Sequence, residues 1–420
     1  MQSFIKKNPW LFLGLIIAAL ISLVMVHKFG FWGMNKTISI MPERLRDMTF
    51  PVWDKYSYSE HGFLVFTTKK DFDEGVAYSN HSSVYLFFMY LFYKIEMSIP
   101  QFSMRVVVAY LEMTLLISTL TYILIDTLKE RVKFNQCILI LLAMIFLVTM
   151  PDFWISAGKF NVDNLFHLQF PLLLLIAYRL SRDELSGIKL WFPLGLLCVL
   201  SPISAALLGA YLAVTAIKKD GFSKELLKLS AIMVFISIAI YLQPVMVSKI
   251  LRFSSSNSEW IFRAGLDGDV SNFNNVVNSV TFPFYPRPFY LILAPISLLL
   301  IQLAFIRFGD KNDSSVLSTI NIKAGLFYGI LFSQYLVTIL LWPQSVSIHP
   351  YLYDFMLVGP VYTWIVLNFV SHPALCNNPR VWIWIMLFFI SFNLQQIAQA
   401  QRCFYCFYPS WTPNQYVIKP

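Results

Sequence analysis

The chain has 420 residues, 57% of them hydrophobic and only 13% charged, with a net charge of +9 and a mean hydropathy of +0.62. An ordinary soluble domain carries roughly 25% charge, so these proportions exclude a water-covered globule and make lipid part of the solvent. The positive excess reads as topology-setting charge beside membrane helices, with a secondary attraction to anionic lipid head groups. No nucleic-acid motif accompanies it, and nucleic acid is not an expected partner.

Apolar runs near 20 residues recur between short polar breaks, the pattern of spanning helices and not of a barrel. The expected fold is all-α: a polytopic transmembrane bundle of about 10 crossings, with a long first external loop that carries juxtamembrane helices. Lys6 and Lys7 precede an apolar run over 10–26 with no small-residue cleavage site after it, which predicts an uncleaved first helix starting on the cytoplasmic side. A polar, aromatic-rich loop occupies 27–82. Apolar runs follow at 83–97, 104–126 and 135–150, with the basic cluster Lys129, Arg131 and Lys133 between the last two. If 27–82 lies outside and that cluster inside, an odd number of crossings separates them. Run 83–97 is short and holds Lys94 and Glu96, so it is expected not to cross; the alternative places 128–134 outside.

Further along, 164–180 returns to Arg179, Arg182 and Lys189 inside. Segment 190–217, broken at Ser201-Pro202 and flanked by basic residues, predicts two short helices that dip in and back out. Helices over 229–247, 289–307, 324–342, 354–370 and 381–398 complete the pattern, as two modules, 1–220 and 221–420. Cys137, Cys198 and Cys376 lie in or beside apolar runs. Cys403 and Cys406 form a C-x-x-C that cannot close a four-ligand zinc site alone and would oxidise only in an oxidising compartment.

This topology gathers four polar segments on the outer face. They are Lys69–Glu74 with Tyr78, Asn80 and His81; Pro151-Asp152 with Lys159 and Asp163; the loop holding Arg252, Arg263, Asp267, Asp269 and Arg287; and Ile348–Asp354, with His349 and Tyr351. Ionisable groups at the membrane border are functional candidates by default. Each has a plainer reading. Asp73 and Glu74 would cap a surface helix, Asp163 would N-cap a helix starting at Asn164, the histidines would be satisfied interfacial side chains, and Asp267-Gly-Asp269 would be a turn. A divalent metal ion held by Asp73 and Asp163 is chemically allowed, but no diagnostic spacing marks it.

The run from Asp73-Glu74 through His81 to the aromatic stretch after it resembles a signature of GT-C-type membrane glycosyltransferases, the protein-mannosyltransferase-like superfamily. Met150-Pro151-Asp152 through Asp163 is similar to that family's second element, in which an aspartate opens a helix after a short coil. The Ser201-Pro202 break is similar to its short mid-membrane helices. The likeness covers roughly the first 220 residues; Ser82-Ser83 stand where the family carries two prolines, and a C-terminal soluble domain is lacking.

The resemblance implies transfer of a sugar from a polyprenyl-phosphate donor to a lipid or glycan acceptor at the outer face of the membrane; that membrane is expected to be a bacterial inner membrane, with the outer face periplasmic, because no eukaryotic targeting signal is evident. Asp73, with Glu74 beside it, would orient the acceptor hydroxyl and take its proton. Asp163 would share that role or hold a metal. Lys159, His349, Arg263 and Arg287 would meet the leaving phosphate, with His81 and Tyr351 binding substrate. The competing functions are a flippase or transporter of lipid-linked sugars, a polymerase or ligase of such saccharides, and a structural envelope subunit. Unmatched halves and one-sided polar clusters disfavour the transporter, and the early position of the largest loop disfavours the polymerase.

Overall fold

A computed structural model describes residues 2–29, 48–66, 69–77, 83–99, 104–127, 133–149, 165–218, 223–255, 326–327, 329–331 and 379–402. The helices expected at 289–307 and 354–370, and nearly all of that at 324–342, lie outside the described residues.

The long helices follow the apolar runs, which satisfy their backbone internally, and short polar helices lie between them. In chain order the helices are α1 (Gln2–Lys7), α2 (Pro9–Phe29), α3 (Phe50–Lys55), α4 (Tyr58–His61), α5 (Lys69–Asp73), α6 (Ser83–Ser98), α7 (Met104–Thr127), α8 (Phe134–Val148), α9 (Leu165–Ser181), α10 (Ile188–Leu200), α11 (Pro202–Lys218), α12 (Lys224–Ile250) and α13 (Pro379–Arg402). The exception is a two-residue parallel ladder, β1 (Val76–Ala77) on β2 (Ser254–Ser255). The described chain is therefore all-α in character. Ser201-Pro202 does split one apolar run into α10 and α11, because a proline cannot donate into the preceding turn.

Contacts between helix ends divide the bundle into two ends. Trp10 at the start of α2 meets Phe134 at the start of α8, edge to face with centroids 6.1 Å apart. At the close of α7 and α9, Asp126 accepts hydrogen bonds from the Tyr178 hydroxyl (2.7 Å) and from Arg182. Arg179, buried, pairs with Glu184 and lies 4.9 Å over the Tyr122 ring. Chain connectivity adds the starts of α10 and α12 to this end. Lys6, Lys7, Lys133, Arg179, Arg182, Lys189, Lys224, Lys228 and Arg380 all stand there, at or near helix termini, against Lys55, Lys70, Lys94, Lys249 and Arg252 at the other, so it is the more basic end.

Between the ends the helices bury one stripe and expose another. In α2, Leu11, Leu15, Ala18 and Ser22 face the core while Leu13, Ile17, Leu20 and Val24 are exposed. α11 and α12 approach closely at Gly209, where an added Cβ would come within 3.1 Å of the Ser230 carbonyl and 2.8 Å of Val234. The Ser230 hydroxyl closes the contact on the Gly209 carbonyl at 2.6 Å, the small-residue packing that apolar helices use when water cannot drive them together.

Among the described residues, one helix, α12, is long and apolar enough to cross a membrane by length and composition. Only 22% of its most apolar stretch is buried, and Phe235, Leu242 and Met246 are exposed. A core helix of a water-soluble protein would hide such a surface. Shorter apolar stretches occur at Pro9–Val24, Phe134–Val148, Gln169–Ser181, Ile188–Leu200 and Pro202–Ile217. The described helices thus establish fewer full spans than the sequence leads one to expect.

Candidate functional site

The far end of the bundle is built from the first loop. Phe50, Trp53, Leu64, Phe66, Ala77, Leu86, Met89 and Tyr93 form a second buried core there, separate from that of the bundle. Trp53 organises it: the indole N–H donates to the Leu64 carbonyl at 2.8 Å, and the ring stacks on His61 with centroids 5.9 Å apart. Burial holds the His61 imidazole below its ordinary value of 6.5, and its Nδ1 accepts the Phe63 backbone N–H at 3.0 Å, which fixes the neutral form with the proton on Nε2. Ser57 and Glu60 close a capping box at the start of α4. The Ser57 backbone N–H, donating at 2.7 Å, holds the exposed Glu60 carboxyl below the usual carboxylate range. Thr49 Oγ1 both donates to the Phe66 carbonyl (2.9 Å) and accepts its N–H (3.2 Å), tying the two ends of this loop.

α6 lies along this core and does not leave it. Leu86, Met89 and Tyr93 are buried in it, and near the other terminus Lys94 pairs with Asp54 at 2.7 Å. The opposite face, Val84, Phe88, Leu91 and Ile95, is exposed and apolar at helical spacing. With 16 residues the helix is about 24 Å long, short of a hydrocarbon core of roughly 30 Å.

The acidic pair stands on the rim of this core. Phe72 anchors α5 against Tyr56, Phe66 and Phe253. The chain then turns through Gly75, whose φ of +70° is left-handed, into the β1–β2 ladder at the end of α12. Asp73 and Glu74 are exposed, and Glu74 reaches back to Lys70 at 3.4 Å. Both stand at the C-terminal end of α5, where the helix dipole disfavours negative charge, so the capping reading of this pair does not fit its place. The ladder also sets the acidic segment beside the start of the polar stretch after α12. Asp163, Lys159, His81, Arg263, Arg287, His349, Tyr351, Asp267, Asp269 and the Cys403–Cys406 pair all lie outside the described residues. Among those described, no group of three or more metal-binding side chains assembles.

Sequence reasoning missed a buried polar level beneath this rim. Ser22, Glu112, Thr149, Gln169, Ser204, Ser237 and Asn393 are all buried. At 1.5 Å per residue each lies about 20 Å from the basic end of its helix. Several join neighbouring helices. Ser204 donates to Gln169 Oε1 at 2.8 Å, Asn393 Nδ2 donates to the Phe146 carbonyl and Thr149 Oγ1 at 3.4 Å, and Ser237 donates to Cys198 Sγ at 3.8 Å. Glu112, fully buried within α7, is the carboxylate of this level. Single polar letters inside apolar runs are its sequence signal.

Comparison with protein families, with curated proteins and with solved structures found no match to this chain.

Proposed function

We propose that this chain is a multi-pass membrane glycosyltransferase of the GT-C type, moving a sugar from a polyprenyl-phosphate donor to a lipid or glycan acceptor at the periplasmic face of a bacterial inner membrane. The observation that carries the reading is the placement of Asp73 and Glu74: exposed, on a rim packed by aromatic residues, at the end opposite the basic one. The positive-inside rule puts the basic end in the cytoplasm and therefore the rim outside. Exposed apolar stripes on α2, α12 and α13 support lipid contact, and the apolar outer face of α6 suits a helix lying in the interface.

In this reading Asp73 takes the acceptor proton, since Glu74 is engaged by Lys70. Asp163 shares the task or holds a divalent ion. Lys159, His349, Arg263 and Arg287 neutralise the charge that grows on the departing lipid phosphate, and His81 and Tyr351 position substrate. Sugar leaves the phosphate oxygen as the acceptor oxygen bonds to the anomeric carbon, and the acceptor proton passes to the carboxylate. A transporter of lipid-linked sugars is the second reading, favoured by the buried polar level and the helix break at Ser201-Pro202.

The test is transfer by the purified protein from a panel of polyprenyl-phosphate sugars, with Asp73→Asn, Glu74→Gln and Asp163→Asn checked for melting alongside. Transfer by wild type, and its loss in folded Asp73→Asn or Asp163→Asn, supports the enzyme. No transfer by wild type, together with unchanged envelope function in all three variants, supports the carrier.

A further inference from the structure

At the basic end, between α1, α2 and α8, lies a cavity of about 510 Å³ lined by Lys7, Asn8, Trp10, Lys133, Phe134 and Cys137, with Pro9 completing its wall. Its chemistry is graded. Asn8 and Cys137 are buried. Trp10 and Phe134, each 58% exposed, meet edge to face and form an aromatic wall. Lys7 and Lys133 are exposed cations on two different helical elements, and the Lys133 backbone is fixed by its N–H bond to Gln136 Oε1 at 3.0 Å. α2 and α8 both begin at this cavity, so their positive dipole ends add to the field of the lysines. The volume falls within the range of sites that hold a whole small molecule. It is well beyond what one ion would fill.

We propose that this cavity binds a phosphate ester, with the anion between Lys7 and Lys133 and the organic part of the ligand against Trp10 and Phe134. The ester is the head group of an anionic lipid or a soluble phosphate of similar size. Tryptophan beside lysine at a helix start is the composition of the head-group level of a membrane, and basic pockets between helices on the cytoplasmic side take anionic head groups. The site is remote from the acidic rim. The inference rests on the membrane reading and is independent of sugar transfer.

The experiment reconstitutes the full chain in phosphatidylcholine nanodiscs, with and without phosphatidylglycerol, and reads retained lipid by native mass spectrometry. A second arm adds soluble glycerol phosphate to neutral nanodiscs and reads the melting temperature. Wild type is expected to retain phosphatidylglycerol over phosphatidylcholine. Each lysine neutralised, in Lys7→Gln and Lys133→Gln, is expected to weaken that preference about fivefold, the size set by roughly 1 kcal/mol per basic side chain at a membrane surface. The arginine pair Lys7→Arg with Lys133→Arg should keep it, and so should Lys224→Gln with Lys228→Gln, at the same end but outside the cavity lining. Protection by glycerol phosphate that vanishes in the Lys7→Gln, Lys133→Gln variant supports the same site with a soluble source. Equal lipid preference in wild type and that variant overturns the site, as does a loss reproduced by Lys224→Gln with Lys228→Gln. A chain that fails to enter nanodiscs overturns the membrane reading itself, an outcome distinct from an embedded protein with no preference.

Discussion

The Gly75 carbonyl accepts the Ser254 backbone N–H at 2.7 Å, joining positions 179 residues apart. That bond, with the short ladder after it, locks the acidic rim to the end of α12. Gly75 holds φ at +70°, while an added Cβ would approach only Phe253, at 4.0 Å. Substitution there is therefore a backbone experiment. Gly75→Ala should cost about 1–2 kcal/mol through the left-handed conformation, and Gly75→Asn should cost less, because asparagine tolerates it. Thermal unfolding of both variants checks the order; equal losses would mean that the ladder does not depend on this turn.

His61 gives the rim a pH dependence whose sign is fixed. Its value is lowered in the folded state relative to 6.5, first by burial, against smaller opposing effects of the Tyr56 backbone and of Glu60. The unfolded or opened state therefore binds the proton more readily. The stability that neutral His61 allows is complete above pH 6.5 and is lost as pH falls below it. Protonation would also remove Nδ1 as acceptor for the Phe63 N–H. Hydrogen-exchange protection over residues 50–66, taken relative to the intrinsic exchange rate at each pH, should fall between pH 7 and pH 5.5 in wild type and change less in His61→Phe.

At the basic end, Asp126, Tyr178 and Arg182 share hydrogen bonds at the close of α7 and α9. Asp126 and Arg182 are part-exposed, so the pair sits between weak surface bridges and costly buried ones. A double-mutant cycle with Asp126→Ala and Arg182→Ala should give a coupling of about 1 kcal/mol. A value near zero would leave the α7–α9 contact to Tyr122, Tyr178 and apolar packing alone.

Glu112 separates packing from function within the buried level. Glu112→Gln keeps shape and hydrogen-bonding capacity and should melt within a few degrees of wild type. A carboxylate buried among apolar helices is an expensive feature to keep without use, so Glu112→Gln is expected to lower turnover or envelope function at least tenfold. Full function in that variant would make Glu112 a packing residue.

Much of this architecture was legible in the chain. Apolar runs ended by lysine and arginine mark α2, α7, α8, α9 and α13 to within a few residues, and the Ser201-Pro202 break marks two helices where hydropathy alone shows one. α12 begins earlier than its apolar run at 229, because Lys224, Glu225 and Lys228 are good helix formers that hydropathy does not register. Run 83–97 marks α6 to within a residue. Contacts between distant segments are what the sequence hides. Gly75 carries no local sign of Ser254, Lys7 none of Lys133. Ser22, Gln169, Ser237 and Asn393 become a level only once helix ends are brought into register. The acidic pair was legible as a candidate because charge at the border of apolar runs is rare; its position at the exit of α5 was not.

In the proposed function the acidic rim and the more basic end face opposite sides of a membrane. Single cysteines at Glu74 and Lys133, placed in a cysteine-free background, test it with a membrane-impermeant thiol reagent on intact cells. Glu74→Cys should label before permeabilisation and Lys133→Cys only after it. Labelling of both from the same side, or of Lys133→Cys alone in intact cells, would contradict the two-sided arrangement and with it the placement of the candidate site.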